Sequence, residues 1–182
     1  MTETMGARLV ARQGDARRAA RVALVTGATG AMGRAIAERL ARAGSGLAIA
    51  DRDDEVLEAL AADLAGNHGV PVVAIAADLA DVAATQAIVP LVEAEAGRLD
   101  HLVNNAGFNR PHALEAMAVE DWDAVFAINL RAPALLAKAA IPLWRRQGGG
   151  AIVNIGSRVW KSGAVPAYTA SKAGLVGLTR SA

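Results

Sequence analysis

Cysteine is absent from the 182 residues. This excludes disulfide staples, thiolate metal sites and a cysteine nucleophile, and it accords with a reducing, cytoplasmic setting. Aromatic residues make up only 3% of the chain, too few for a surface on which nucleobases stack. Histidine is nearly as scarce. His68, His101 and His112 lack metal-ligand spacing and read as surface or loop residues, so no metal site is expected. Charge of one sign is lacking too: 19 Lys and Arg stand against 18 Asp and Glu, a net +1 that pulls towards neither nucleic acid nor an anionic membrane. No apolar run approaches membrane-spanning length. The first twenty residues carry Arg8, Arg12, Arg17 and Arg18 without an apolar stretch, so they are not a secretory signal. Glu3 and Asp15 interrupt the positive charge that an organelle transit peptide needs. Residues 1–20 are therefore expected to be a flexible tail ahead of the fold.

What is abundant is small and apolar. Hydrophobic residues are 53% of the chain, and with so few rings the core has to be built from Ala, Val, Leu and Ile. Apolar runs alternate with helical patterns. The pattern predicts strands at Arg21 to Thr26, Leu47 to Ala50, Pro71 to Ala76, Asp100 to Asn104 and Ala151 to Ile155. Between them it predicts helices at Met32 to Ala43, Asp53 to Leu64, Val82 to Ala96 and Glu120 to Arg146, and a last one from Tyr168 to the chain end. Pro133 and Pro142 should kink the long fourth helix. The strands are short and continuously apolar rather than alternating, as burial on both faces demands, and strand and helix take turns. Both features indicate an α/β fold, a doubly wound parallel sheet of about five strands with helices on each face. There is no internal repeat and no linker, so residues 21–182 read as one domain.

Thr26 to Gly33 reads TGATGAMG between the first strand and the first helix. Gly27, Gly30 and Gly33 allow a sharp turn and a close backbone approach to a pyrophosphate, at which the helix directs its free N–H groups and positive dipole end. The strand–turn–helix context is what such a glycine pattern requires. Asp51 ends the second strand, eighteen positions beyond Gly33. A carboxylate there accepts hydrogen bonds from ribose hydroxyls and repels a 2′-phosphate, favouring NAD over NADP. Arg52 beside it works the other way, since an arginine there pairs with the extra phosphate.

Four further motifs follow in order: Asn104-Asn105-Ala106-Gly107 after the fourth strand, Asn129 in the long helix, Gly156-Ser157 after the fifth strand, and Tyr168-x-x-x-Lys172. Together, on these elements, they resemble the short-chain dehydrogenase/reductase family, compact NAD(P)-dependent branch, with its Rossmann-like fold. The resemblance covers Arg21 to Ala182. It implies that Gly27, Thr29, Gly30, Met32, Gly33, Asp51, Arg52, Asp78, Leu79, Asn105, Ala106 and Gly107 line a nicotinamide-cofactor site, joined by Tyr168 and Lys172. It also implies that Asn129, Ser157, Tyr168 and Lys172 form a catalytic tetrad.

Three departures accompany the likeness. Ala31 stands where the compact branch usually has Gly, and the spacing of Gly27, Gly30 and Gly33 is like that of the extended, sugar-nucleotide-epimerase branch. Ser157 and Tyr168 are eleven positions apart, slightly closer than usual, so the loop between them should be reshaped. The chain stops inside the Tyr168 helix, where the family pattern continues with two more strands, a helix and a substrate-covering loop. The resemblance thus implies a C-terminally truncated member. Residues 1–182 alone are expected to expose the outer edge of the fifth strand, to be poorly soluble or oligomeric through it, and to be inactive on alcohols; a longer product is expected to be an active homo-oligomer.

The implied chemistry is hydride transfer between the cofactor and a secondary alcohol or ketone. A free phenol has a pKa of about 10 and is a poor base at neutral pH. Lys172 lies one helical turn from Tyr168, where its ammonium favours the phenolate and makes the ring a usable general acid or base. The family pattern also has Lys172 hold the nicotinamide ribose, Ser157 hydrogen-bond the substrate oxygen, and Asn129 hold a water that links Lys172 to solvent. Phe108, Asn109, Arg110, Arg158, Trp160 and Lys161 should rim the site, with charges that suit a polyol, a sugar acid or a keto acid. Two alternatives stay open: a truncated, non-catalytic NAD-binding relative, and an extended-branch epimerase.

Overall fold

The computed structural model describes residues 7–163 and 165–181, apart from the side chain of Arg18; residues 1–6 of the expected tail and Ala182 lie outside the described residues. The elements run β1 (Arg8–Gln13), β2 (Val22–Thr26), α1 (Ala31–Arg42), β3 (Gly46–Asp51), α2 (Asp54–His68), β4 (Val72–Ala76), α3 (Val82–Ala96), β5 (His101–Asn104), α4 (Val119–Phe126), a π turn (Ala127–Arg131), α5 (Ala132–Gln147), β6 (Ala151–Asn154), α6 (Val159–Ser162) and α7 (Pro166–Ser181). Helices α2 and α3 begin where aspartates cap them. The Asp53 carboxylate accepts from the Val56 N–H at 3.1 Å and that of Asp81 from the Ala84 N–H at 2.6 Å, which stops the strands that precede α2 and α3 from running on.

The sheet order is β1-β4-β3-β2-β5-β6, parallel throughout except for β1. β2, β3 and β4 are buried on both faces, which accounts for their unbroken apolar sequences. Alternate residues feed two cores. Val25 and Ile49 pack with Leu57 and Leu64 of α2 on one face, while Leu24, Ile75 and Leu102 pack with Ile88 of α3 and Leu136 of α5 on the other. The chain leaves β2 in one direction for β3 and β4, and returns to its other side for β5 and β6. The carboxyl ends of β2 and β5 therefore splay their loops apart and open a crevice at the switch point.

Four expectations are corrected. The first is the tail. Arg8–Gln13 is a strand that pairs antiparallel with β4, so the sheet has six strands rather than five. It gives the edge of β4 backbone partners, buries Val10 and Ala11 against the α2-side core, and is clamped by ion pairs from Arg8 to Asp54 and from Arg12 to Glu95. Arg17 likewise donates to the Ala94 carbonyl. The second is the long helix, which contains a π turn at Ala127–Arg131 that was not expected; Pro133 follows it by two residues and Pro142 is carried within α5.

The third concerns membrane length. The helical stretch Val119–Gln147 is 29 residues long and apolar enough to cross a membrane by length and composition. Its apolarity has an internal use, since Ala132, Leu136, Ala140 and Leu143 belong to the core. The fourth is His101, which starts β5 and is half-buried rather than on a loop. His68 closes α2, and His112 pairs with Asp121 at 3.0 Å. One further difference concerns β6, whose exposure alternates along the strand, with Val153 50% exposed at the sheet's outer edge.

Asp100 ties the starts of the central strands together. Its carboxylate accepts from the Val22 N–H at 2.7 Å and is gripped by Arg98 at 2.9 and 2.6 Å, while its carbonyl accepts from the Ala151 N–H. Burial pushes this carboxyl's pKa up, but the Arg98 guanidinium and the Val22 N–H outweigh it and hold the value below the usual carboxylate range. A lowered folded value means that the stabilisation is complete above the unfolded value of about 4 and is lost as pH falls through the folded one. Asp100→Asn should therefore cost about 1.5–3 kcal/mol at neutral pH. In urea titrations its deficit should shrink as the pH is lowered below about 4.

Candidate functional site

The site forms where the ends of β2 and β5 meet. Two hydrogen bonds from Asn105 Nδ2 reach the carbonyls of Thr26, at 2.9 Å, and Gly27, at 3.0 Å. In return Thr26 Oγ1 accepts from the Asn105 and Ala106 N–H groups, each at 3.2 Å. The two turns are thereby stapled with almost no space between them. A Cβ on Gly27 would come within 2.8 Å of Ala106 Cα, and Gly27 is left-handed at φ 64°. A Cβ on Gly33 would collide with the Gly27 carbonyl and with Ala28. Glycine is thus required at both positions, once by conformation and contact together and once by contact alone.

Beside this staple lies a cleft of about 340 Å³. Gly27, Thr29, Gly30, Met32, Gly33, Asp51, Arg52, Asp78, Leu79, Asn105, Ala106 and Gly107 all line it, which is every cofactor-site residue expected from the sequence apart from Tyr168 and Lys172. Phe108, expected at the substrate rim, lines it as well, and so do Ala77 and Ile128, which were missed. The signal for those two was adjacency to a residue that was chosen: Asp78 and Asn129.

The residues fit a dinucleotide. Gly30 occupies the N-cap position of α1 without a side-chain cap, so the first N–H groups of the helix are left for an anion. Any side chain on Gly33 would fill the approach. The Asp51 carboxylate at the far rim is already engaged: Oδ2 accepts from Thr29 Oγ1 at 2.6 Å and from its N–H at 3.0 Å, and Oδ1 from the Arg52 N–H at 2.8 Å. Asp51 is therefore a clamp on the glycine turn as well as a charge at the rim. Two arginines hold the surrounding backbone: Arg34 Nε donates to the Thr29 carbonyl at 3.0 Å, and Arg131 to that of Ala80 at 2.6 Å.

Of the other four expected residues, Asn129 and Lys172 meet at Gly107 and Tyr168 lies beside Lys172, whereas Ser157 is not brought into contact with them. Lys172 is buried at 3% exposure, and its Nζ donates to the Ile155 carbonyl at 2.7 Å. It lies 3.9 Å from where a Cβ on Gly107 would stand and 5.7 Å from the centre of the Tyr168 ring. Burial alone lowers the pKa of this ammonium. Asn129 is fully buried in the π turn. Its Oδ1 accepts from the Phe108 N–H at 2.8 Å, and its Nδ2 donates to the Phe108 carbonyl at 2.9 Å and to Ser171 Oγ at 3.0 Å. The carboxamide thus ties the π turn to Phe108 and to Ser171. Ser157 stands two residues beyond Ile155 and is engaged locally, its Oγ accepting from the Val159 N–H at 3.3 Å. The short connection to Tyr168 carries α6.

A family model described as short chain dehydrogenase matches residues 21–182. The D-threitol dehydrogenase of Mycolicibacterium smegmatis is 42% identical over 168 residues, 91% of this chain and 64% of that protein. The chain therefore spans a little under two thirds of that relative's length. Among solved structures, a metagenomic short-chain oxidoreductase in complex with NADP is 40% identical at a TM-score of 0.84, with 88% of this chain and 74% of that one covered. A short-chain dehydrogenase from Sphingobium yanoikuyae in complex with NADPH is 36% identical at 0.83, with 88% and 63% covered.

The glycine geometry is open to a paired test. Gly33→Ala should cost about 1–3 kcal/mol through overpacking. Gly30→Ala meets only the Gly27 carbonyl, at an ordinary 3.5 Å, and should stay within about 0.5 kcal/mol of the wild type. Chemical denaturation of the two variants side by side measures the difference.

Proposed function

Given that the chain belongs to the short chain dehydrogenase family, we propose that it carries the cofactor site and catalytic residues of an oxidoreductase that exchanges a hydride between a nicotinamide dinucleotide and a secondary alcohol or ketone. The observation that carries this reading is the buried Lys172 ammonium, set beside the Gly107 turn and the Tyr168 ring at one end of a cleft whose other end is a helix N-terminus bounded by Asp51.

When bound, the nicotinamide supplies the hydride acceptor for alcohol oxidation and the donor for the reverse. The chain's own residues manage the proton. In the oxidising direction the Tyr168 oxygen takes the hydroxyl proton of the alcohol as the hydride leaves the adjoining carbon; in the reducing direction it returns that proton to the carbonyl oxygen. Lys172 commits one N–H to Ile155, leaving two to hold ribose hydroxyls. Ser157 donates to the substrate oxygen and shares the charge that develops there. Asn129 holds the Phe108 backbone and so shapes the floor between cofactor and substrate. The similarity to a D-threitol dehydrogenase supports a small polyol as the alcohol.

NAD is the dinucleotide favoured by Asp51, because a 2′-phosphate would meet a carboxylate at the rim. Arg52, exposed beside Asp51, and the NADP and NADPH of the two similar solved structures weigh towards the phosphorylated form. Calorimetric titration decides between them. On this proposal NADH binds about tenfold or more tighter than NADPH, the worth of one charged contact, and equal or reversed affinities overturn it. Asp51→Ala should weaken both, because Thr29 loses its anchor, and should narrow the gap.

The acid/base assignment is tested in a product of the relatives' full length, by following NADH or NADPH formation over a panel of polyols and secondary alcohols. Tyr168→Phe keeps the ring and removes the transferable proton. It should lower turnover by about 10²–10⁴-fold with cofactor affinity unchanged. A variant that keeps a tenth of the wild-type rate rules Tyr168 out.

A further inference from the structure

Ser171 lies between Tyr168 and Lys172 and is itself fully buried, with its hydroxyl in two hydrogen bonds. It donates to the Tyr168 carbonyl at 2.8 Å and accepts from Asn129 Nδ2 at 3.0 Å. The direction of each bond is forced. Asn129 Oδ1 is taken by the Phe108 N–H, so its carboxamide faces Ser171 with an N–H. Ser171 must therefore accept there, and its one proton goes to its own helix. A serine that bonds back along a helix interior usually gives nothing to stability and bends the helix. Here the back-bond orients the hydroxyl to receive Asn129.

The angular arrangement makes this contact consequential. Successive residues of an α-helix are about 100° apart, so Tyr168 projects roughly 40° from Lys172 and roughly 60° from Ser171, between the two. Lys172 fastens α7 to the end of β6 through Ile155, and Ser171 fastens it to the π turn through Asn129. Two fastenings on either side of Tyr168 prevent the helix from rotating about its axis, a freedom that Lys172 alone would leave.

We propose that Ser171 is a positioning residue, which sets the rotation of α7 and thereby aims Tyr168 and Lys172 at the nicotinamide end of the cleft. This rests on the function proposed above. The distant adenine end, from Thr29 to Leu79, has no bond to Ser171.

The test compares the dinucleotide that the wild-type chain binds more tightly with its nicotinamide-free counterpart, ADP-ribose or 2′-phospho-ADP-ribose, by calorimetry. Ser171→Ala should bind the whole dinucleotide about tenfold more weakly, the size of one lost buried hydrogen bond, and the nicotinamide-free probe within about twofold of the wild type. Ser171→Thr, which keeps a hydroxyl, should recover most of the loss. Equal binding of both probes by wild type and Ser171→Ala overturns the proposal. So does equal weakening of both, which is the mark of a merely structural role. Should Ser171→Ala not fold, Ser171→Cys keeps the volume with a much weaker hydrogen-bonding group and is held to the same comparison. A wild-type chain that binds neither probe refutes the cofactor reading instead, and so the two failures are told apart.

Discussion

Four hydrogen bonds tie Thr26 and Gly27 to Asn105 and Ala106 across the ends of β2 and β5, and the geometry of the cleft depends on that exchange. It presses the glycine turn against the Asn105–Gly107 turn so closely that a methyl group does not fit between them. With both turns immobile, the N-terminus of α1 points along a fixed line and Lys172 meets the second turn at a fixed place. The staple engages Thr26 Oγ1 and Asn105 Nδ2. Asn105 thus serves the site by shaping it, even though it also forms part of the cleft wall.

The π turn Ala127–Arg131 is the second centre of organisation. A single widened turn in an otherwise α-helical stretch costs regular hydrogen bonding and is found mostly where function uses it. Here it faces Asn129 inward to Phe108 and Ser171, while Arg131 reaches the Ala80 carbonyl beside Asp78 and Leu79. One turn therefore touches the loops at both ends of the cleft and the helix bearing Tyr168. A regular helix would rotate either Asn129 or Arg131 away from its partner.

The two edges of the sheet are treated differently. At one, β1 covers β4 and is itself lined by Arg8 and Arg12, paired to Asp54 and Glu95, the kind of charged strand that discourages further pairing. At the other, β6 presents Val153 to solvent. The relatives that share this fold extend over a greater length than the chain spans.

Much of this was legible in the residues because the determinants are local. Unbroken apolar runs mean strands buried on both faces, glycines between strand and helix mean a close turn, and a Tyr and a Lys four apart share a helix face. The α/β fold and all the cleft residues but Ala77 and Ile128 follow from rules that operate within a few positions. The missing pieces depend on partners far off in the chain. Arg8–Gln13 has no strand pattern strong enough to announce itself and becomes β1 only because the edge of β4 needs backbone partners. The π turn has no local signature, since Pro133 and Pro142 are the more obvious breakers, and it exists because Asn129 finds Phe108 and Ser171 across 21 and 42 positions. Asp51 was readable as a charge at a strand end but not as the clamp on Thr29, 22 positions earlier. The sequence by itself determined which elements form and which chemistry they carry. Tertiary structure alone decided where each polar group spends its hydrogen bonds, because a buried donor or acceptor has to be satisfied by whatever the fold brings beside it.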